Sequence, residues 1–220
     1  VPMLPEALSN GICSLSEGND KLCYSVIMEL ESDGTLISYQ IRDTIINSKK
    51  RFSYEEAQSV LDGETEHDFA DVLKNMKVIY QALLKKRKKR GSVDFDSLEL
   101  EVELDDEGLP VALKRKVRGD TNRMIEEFML LTNETVAKHI GDFLNTEEQI
   151  PFVYRVHEKP DITSLQELVS ISNAFGIQAT MPKRTTPYFV QKISQKIKNN
   201  PAATVLENAI LRAMMKAQYT

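Results

Sequence analysis

Residues 121–160, TNRMIEEFMLLTNETVAKHIGDFLNTEEQIPFVYRVHEKP, contain the pattern on which the interpretation of this chain depends. Side chains suited to a protein interior recur there at steps of three and four residues, which predicts an amphipathic helix over residues 121–145. The predicted inward stripe consists of Ile125, Phe128, Thr132, Val136 and Ile140. Glu126 and Asn133 lie seven residues apart, so they form a second, polar line along the same helix.

A predicted strand follows this helix at residues 152–157. Because side chains alternate between the two faces of a strand, Arg155 and His157 are expected on the same face. A carboxylate, an amide, a guanidinium and an imidazole would then lie close to a rigid apolar scaffold. The alternative interpretation is a surface helix whose glutamate and asparagine are simply solvated.

The helix and the strand resemble the central part of the catalytic domain of the ribonuclease II/ribonuclease R family, the RNB domain. Members of that family carry an I-E-E-x-M-x-x-x-N helix followed by a (Y/F)-R-x-H-x-x-P strand. The matching residues here run from Ile125 to Asn133 and from Tyr154 to Pro160. Further matches are VPMLPEALSNGICSL, SDGTLISYQIRDTIINSKKRFSYEEA, RGSVDFDSLELEVELDDEGLP and LRAMMKAQYT. These pieces occur in the family's order over nearly the whole chain.

Two motifs of the family are missing from this sequence. The aspartate cluster that binds metal, D-x-x-x-x-x-D-x-D-D, lies upstream of the matching region, and H-F-T-S-P-I-R-R-Y lies downstream of it. We therefore expect an internal fragment of an RNB domain. The only adjacent aspartates, Asp105 and Asp106, predict a hairpin turn whose backbone is fixed by Gly108 and Pro110. No catalytic residue and no metal ligand are predicted in this chain.

The resemblance implies that the parent protein is a Mg²⁺-dependent hydrolase that degrades single-stranded RNA from its 3′ end. A cytoplasmic location is the default expectation, because the sequence shows no secretory signal. The implied partner is single-stranded RNA and not a membrane, and the oligomeric state is left open. We expect Mg²⁺ to act in the intact enzyme, and we expect the isolated fragment to bind none and to be inactive. A non-catalytic RNA-binding module and a purely structural module are the alternatives. The sequence also leaves the ribonuclease R and ribonuclease II branches open.

Three positions match the family's substrate contacts. Phe95 matches an aromatic residue that helps to clamp the terminal base, and such stacking contributes about 1–3 kcal/mol per base. Glu126 matches a carboxylate near the terminal sugar, and Tyr54 matches a tyrosine implicated in selecting RNA over DNA through the 2′-OH. Asn133 and His157 are further candidates for RNA binding. Packing within the fold is the alternative role for each, and for His157 a structural hydrogen bond is the alternative to a switch or a ligand.

Composition agrees with a folded, mixed structure. The 220 residues are 41% hydrophobic, which is enough to build a core, and a single domain over residues 1–220 is predicted. No run of 18 or more apolar residues predicts a membrane span. Cys13 and Cys23 are expected to be reduced.

The net charge of −5 is unevenly distributed along the chain. Residues 1–110 sum to −9 and residues 111–220 to +4. The densest basic run, KKRKKR at residues 85–90, ends a predicted helix, where cations complement the helix dipole. Contact with RNA phosphates and a localisation signal are the other interpretations of this run.

The predicted fold class is mixed α+β, with antiparallel hairpins packed against several helices. The elements are an irregular lead-in at 1–20, a hairpin around 32–34, a helix from Ser53 to Gly63, a basic-ended helix at 68–90, a hairpin around 105–108, the helix and strand above, and helices at 164–176, 186–200 and 201–219. In the 68–90 helix the predicted apolar stripe is Phe69, Val72, Leu73, Met76, Ile79, Tyr80, Leu83 and Leu84.

Overall fold

The computed structural model describes residues 3–93, 100–115, 118–144, 152–158, 160–182, 186–197 and 200–220. The mixed α+β class is confirmed. In chain order the elements are a short π-helical turn (Ala7–Ile12), β1 (Asp20–Leu30), β2 (Leu36–Asn47), α1 (Tyr54–Asp62), α2 (Ala70–Lys89), β3 (Leu100–Leu104), β4 (Pro110–Arg115), α3 (Asp120–Leu144), β5 (Arg155–His157), α4 (Ile162–Ala174), α5 (Pro187–Ile197), α6 (Ala203–Ala213) and β6 (Ala217–Tyr219). The strands pair as three antiparallel two-stranded sheets, β1–β2, β3–β4 and β5–β6.

The chain divides into two compact units. The first unit consists of Val1–Leu83 with Arg118–Val136, and the second unit consists of Leu84–Val117 with Ala137–Thr220. The buried apolar side chains of the first unit are Ala57, Val60, Leu73, Tyr80, Leu83 and Met124. Those of the second unit are Leu165, Leu168, Ile177, Val190, Ile193, Ile197, Leu206, Ile210 and Ala213. The single domain over residues 1–220 stays a prediction.

Local sequence signals account for the first unit's hairpin and first helix. Gly34 adopts a φ of 77° in the β1–β2 turn, a conformation that side chains with a Cβ disfavour. Ser53 caps α1 by accepting from the Glu56 amide at 3.1 Å, and the Glu56 carboxylate accepts from the Ser53 amide at 2.8 Å. Gly63 ends this helix with a φ of 78°. The predicted capping box and stop are therefore confirmed.

The predicted stripe of α2 is correct in part. Leu73, Tyr80 and Leu83 are buried, but Val72 is 53% exposed. Val72 lies at the edge of the apolar sector, where a helix of 3.6 residues per turn begins to face solvent.

The inward stripe predicted for α3 is correct in part. Phe128, Thr132, Val136 and Ile140 are half-buried. Ile125 is exposed, whereas Thr121, Met124, Glu127 and Thr135 are the buried residues of this helix in its described part. The spacing of apolar residues does not predict these four buried positions, because two of them are threonines. Each threonine hydroxyl is satisfied by a carbonyl, that of Tyr54 for Thr121 and that of Leu131 for Thr135.

The hairpin predicted at Asp105 and Asp106 is confirmed. β3 and β4 pair on either side of it, and Gly108 has a φ of 80°. One carboxylate oxygen of Asp105 accepts from the amides of Glu107 at 3.0 Å and Leu109 at 2.8 Å. The carboxylate therefore holds the turn together.

Two terminal assignments differ from the predictions. The lead-in contains one π-helical turn, Ala7–Ile12, where no element was predicted. The last helix ends at Ala213, and residues Ala217–Tyr219 form β6, which pairs with β5. A strand whose partner lies 60 residues earlier leaves no local signal in the sequence. No described helix has the length and the apolar character needed to span a membrane.

Candidate functional site

Tyr54 lies at the rim of a cavity in the first unit. It is the first residue of α1, and its side chain is 45% exposed. The cavity has a volume of about 410 Å³. Its walls come from α1, α2, α3 and the segment before α1, and its lining residues are Lys49, Lys50, Phe52, Ser53, Tyr54, Ala57, Phe69, Val72, Leu73, Met76, Thr121, Met124 and Ile125. A mostly apolar cavity with lysines at its edge suits a flat ring that carries a negative group.

Aromatic rings organise one wall of this cavity. Phe52 contacts His67 edge-on, with ring centroids 4.8 Å apart, and His67 stacks on Phe69 at 5.5 Å. The Lys50 ammonium lies 5.6 Å from the centre of the Phe52 ring, within cation–π range. The Nδ1 atom of His67 accepts from the Phe69 amide at 3.1 Å, which fixes the imidazole in this stack. His67 therefore has a structural role here.

The start of α3 is tied to α1 and to α2 by polar contacts. The Thr121 hydroxyl donates to the Tyr54 carbonyl at 3.1 Å, and the Thr121 amide donates to Gln58 Oε1 at 3.3 Å. From α2, the Tyr80 hydroxyl donates to Asp120 at 2.8 Å and the Lys77 ammonium pairs with Asp120 at 2.8 Å. The Lys77 hydrogen bond, followed by that from Tyr80, holds the pKa of the Asp120 carboxyl below its usual value.

Glu126 is ion-paired in this structure. Its carboxylate accepts from the Arg118 guanidinium, and both side chains are about one third exposed. Glu126 is half-buried, whereas its neighbour Glu127 is buried and 3% exposed. Of these two adjacent glutamates, Glu126 is therefore the one that solvent reaches. Arg118 was not among the predicted residues.

Of the other three candidates, Asn133 and His157 are among the described residues. Asn133 lies on α3 within the first unit and is exposed. His157 belongs to the second unit, where its strand pairs with β6 and its side chain is exposed. Arg155, two residues earlier on the same strand, is also exposed, as the predicted alternation requires. Phe95 lies outside the described residues.

His157 lines a second cavity, of about 450 Å³, that belongs to the second unit. The lining residues are Gly91, Ser92, Val93, His157, Glu158, Pro160, Thr186, Val190, Met214 and Met215. Methionine thioethers and aliphatic groups dominate its walls, so the cavity offers His157 little polar contact.

The donor groups needed for a divalent cation do not cluster in the described part of the chain. Among those residues no group of three or more His, Cys, Asp or Glu side chains could hold a metal ion. Asp105, the most suggestive aspartate in the sequence, uses a carboxylate oxygen for its own turn. The described residues therefore do not fit a Mg²⁺ site, which needs several oxygen ligands in octahedral geometry.

The whole sequence matches one known protein family. A family model described as the RNB domain matches residues 1–220. This chain belongs to the RNB domain family. The resemblance predicted from the sequence is therefore confirmed, and the two compact units together fall within one RNB match.

Similar proteins carry the name ribonuclease R. The RNB chain is 38% identical to ribonuclease R 1 of Lactococcus lactis subsp. lactis (strain IL1403), a match that covers 100% of this chain and 27% of the relative. It is also 38% identical to ribonuclease R of Thermotoga maritima, covering 100% of this chain and 31% of that protein. The chain thus spans less than a third of the length of these relatives.

A solved structure shares the same fold. Mycoplasma genitalium RNase R in complex with ribose methylated single-stranded RNA superposes with a TM-score of 0.91 at 27% identity. The superposition covers 100% of this chain and 34% of that one. The RNB fold of the described residues is therefore that of a ribonuclease R.

Sequence reasoning missed the contacts that position the RNB candidates. Arg118 precedes α3, so helical periodicity does not relate its position to that of Glu126, and the ion pair between them was not predicted. Thr121 looked like an ordinary start of the helix, although it is 2% exposed and holds the Tyr54 carbonyl. The signal that could have found Arg118 is the concentration of basic residues just before an acidic helix face.

Proposed function

We propose that this chain is the substrate-positioning part of a ribonuclease R-type 3′-to-5′ exoribonuclease that hydrolyses single-stranded RNA. The observation that carries the proposal is the likeness, over the whole chain, to an RNase R whose structure was solved with single-stranded RNA, at a TM-score of 0.91. The RNB match over residues 1–220 and the two ribonuclease R relatives support it.

Two residues of the first unit have the chemistry to bind an RNA strand, and Glu126 has the chemistry to choose RNA over DNA. The Glu126 carboxylate is accessible and is held by Arg118, so it is oriented before any ligand arrives. A carboxylate accepts a hydrogen bond from a ribose 2′-OH, which deoxyribose lacks. Tyr54 presents an exposed ring at the rim of the 410 Å³ cavity. A base or a sugar that leans on this ring gains stacking contact without being identified by sequence.

The chemical step is assigned to residues outside this chain. Mg²⁺ would activate water and stabilise the leaving oxygen in the intact enzyme, and the described residues do not fit a site for it. The contribution of this chain is then the placement of the strand, which accelerates a reaction through proximity. We expect the purified 220-residue chain to release no mononucleotides from oligo-U in the presence of Mg²⁺. Mg²⁺-dependent release of mononucleotides by the purified chain would contradict this assignment.

The experiment that tests the proposal measures binding of fluorescent oligo-U and oligo-dU. The unmodified chain is expected to bind oligo-U more tightly, and Glu126→Gln is expected to remove that preference, because a neutral amide is a weaker acceptor for the 2′-OH. Glu167→Gln is the matched control, since Glu167 is an exposed glutamate on α4. Equal affinity of the unmodified chain for the two polymers would refute sugar selection at Glu126.

Two other functions predict different results in the same assay. If the chain is part of a non-catalytic RNA-binding module, it would bind oligo-U, and a longer parent chain would show no nuclease activity. A purely structural module would bind neither oligo-U nor oligo-dU at any salt concentration.

A further inference from the structure

The C-terminal end of α2 carries six consecutive cations, residues 85–90. They are not equivalent in the folded chain. The side chains of Lys86 and Arg87 are half-buried, whereas those of Lys85, Lys88, Lys89 and Arg90 are exposed. Arg90 follows the last residue of α2, so Lys85, Lys88 and Lys89 are the exposed cations of this run that lie within the helix. In a helix of 100° per residue these three lysines fall within one sector of about 100°. We name them the α2 lysine face.

The end of α2 is capped without any help from the α2 lysine face. Gly91 has a φ of 92°, and its amide donates to the Lys88 carbonyl at 3.1 Å. The Arg90 amide donates to the Lys86 carbonyl at 3.1 Å, and the Ser92 amide to the Arg87 carbonyl at 3.4 Å. The last carbonyls of this helix are therefore satisfied by the backbone that follows them.

A buried glutamine on α5 completes this cap. The Gln191 side-chain amide, which is 8% exposed as a residue, donates to the Lys88 carbonyl at 2.8 Å and to the Ser92 carbonyl at 3.0 Å. All these residues belong to the second unit. Because neutral donors already serve the helix end, the three exposed ammonium groups are not needed for capping.

No acidic partner of the α2 lysine face is found in the part of the chain that the structure describes. Among the described residues its ammonium groups form no ion pair and no hydrogen bond, in contrast to Lys74 on the same helix, which lies 3.6 Å from Asp71. Glu158 is a described acidic residue near this end, where it lines the same cavity as Gly91 and Ser92.

We propose that the α2 lysine face binds the phosphate backbone of the RNA strand. This inference rests on the proposed function, and it adds a contact in the second unit to the sugar-selecting residues of the first. Flexible ammonium groups suit phosphates because they bind as point charges without requiring one base or one sugar. A membrane surface is a poorer fit, since the apolar side of α2 is buried through Leu73, Tyr80 and Leu83 and cannot insert into lipid.

The test compares salt dependence of binding for three forms of the 220-residue chain. The first is unmodified, and the second is the triple variant Lys85→Gln/Lys88→Gln/Lys89→Gln. The third is a control that removes the same charge from three exposed lysines outside α2, Lys138→Gln/Lys192→Gln/Lys216→Gln. Glutamine keeps helix propensity close to that of lysine, and circular dichroism checks that each variant is folded.

The triple variant is expected to lower the slope of log affinity against log salt by about 2, because each single-strand phosphate contact contributes about 0.7. The loss should be the same for oligo-U and oligo-dU, and the control should keep the slope of the unmodified chain. An unchanged slope in the triple variant, or an equal loss in the control, would overturn the inference. Vesicles of phosphatidylglycerol that bind the unmodified chain but not the triple variant, with RNA binding intact, would also overturn it.

The outcome separates this inference from the proposed function. If the triple variant keeps both the preference for oligo-U and the salt slope, sugar selection is supported and phosphate binding by the α2 lysine face is refuted. If the triple variant has a reduced salt slope and the unmodified chain binds the two polymers equally, phosphate binding by the α2 lysine face is supported and sugar selection is refuted. Absence of binding to either polymer removes both.

Discussion

The Thr121 hydroxyl donates a hydrogen bond of 3.1 Å to the backbone carbonyl of Tyr54. This bond joins the first turn of α3 to the first turn of α1 within the first unit. Glu126 lies five residues after Thr121 on the same helix, so the bond connects the helices that carry the two sugar-selecting candidates. A helix is stiff over such a distance, and the placement of Glu126 relative to Tyr54 therefore depends on Thr121.

Thr121→Val is expected to destabilise the chain by about 1–2 kcal/mol, because the isosteric methyl group cannot donate to the Tyr54 carbonyl. Thr121 is 2% exposed, so water cannot readily replace the lost bond. Urea denaturation followed by circular dichroism measures the change. Thr121→Ser is the control, since it keeps the hydroxyl, and it should recover most of the difference. Equal stability of the valine and serine variants would show that the hydrogen bond contributes nothing.

Arg118→Ala is expected to reduce the preference for oligo-U over oligo-dU by about tenfold, which corresponds to about 1.4 kcal/mol. The reason is that the Glu126 carboxylate loses the guanidinium that orients it. Fluorescence anisotropy with both polymers measures the ratio. Arg115→Ala removes an exposed arginine of β4 and should leave the ratio unchanged. A parallel loss of affinity for both polymers in Arg118→Ala would assign Arg118 to general charge attraction instead.

Elements with local signals could be predicted from the sequence. The capping box of Ser53 and Glu56 lies within one turn, and the extent of α3 follows from its long periodic pattern. Gly108 and the Asp105 side chain specify the second hairpin in the same way. In each case the residues that cause the structure are neighbours in the sequence.

Tertiary contacts decide what the sequence could not predict. The buried face of α3 includes Glu127 and Thr135, whose polarity argues for exposure until their surroundings are known. β6 exists because β5 pairs with it, and the pairing of Val156 with Gln218 spans 62 residues. For the candidate site, Tyr54 and Glu126 lie in the first unit and His157 in the second, a division that no pattern of spacing indicates.

Ser172→Ala is expected to stabilise the second unit by about 1 kcal/mol. Ser172 is fully buried on α4, and its hydroxyl has no hydrogen-bond partner among the described residues. Burying a hydroxyl without a hydrogen-bond partner costs about 1–3 kcal/mol of folding free energy. In this helix the Ser172 side chain gains little that offsets this cost. Ser170→Ala, at an exposed position of the same helix, is the control and should gain only the difference in helix propensity, about 0.5 kcal/mol. A thermal unfolding midpoint that falls in Ser172→Ala would indicate that the hydroxyl has a partner.

Tyr80 makes the stability of the first unit sensitive to alkaline pH. Burial, reinforced by the hydrogen bond to Asp120, raises the pKa of Tyr80 to about 12 from 10.0. In the unfolded chain the phenol loses its proton near pH 10, whereas the folded chain retains it until about pH 12. The folded state therefore binds this proton more tightly, and its contribution to stability is complete below pH 10 and is lost as the pH rises from 10 to 12.

The unmodified chain is expected to lose about 2–3 kcal/mol more stability than Tyr80→Phe between pH 10 and pH 12, because two pH units correspond to about 2.7 kcal/mol for one proton. Below pH 10 we expect Tyr80→Phe to have the lower free energy of unfolding, because it lacks the 2.8 Å hydrogen bond to Asp120. Urea denaturation at a series of pH values measures both differences. Tyr39→Phe, at a half-buried tyrosine of β2, is the control and should follow the unmodified chain. Parallel curves for the unmodified chain and Tyr80→Phe would show that the Tyr80 proton is not coupled to folding.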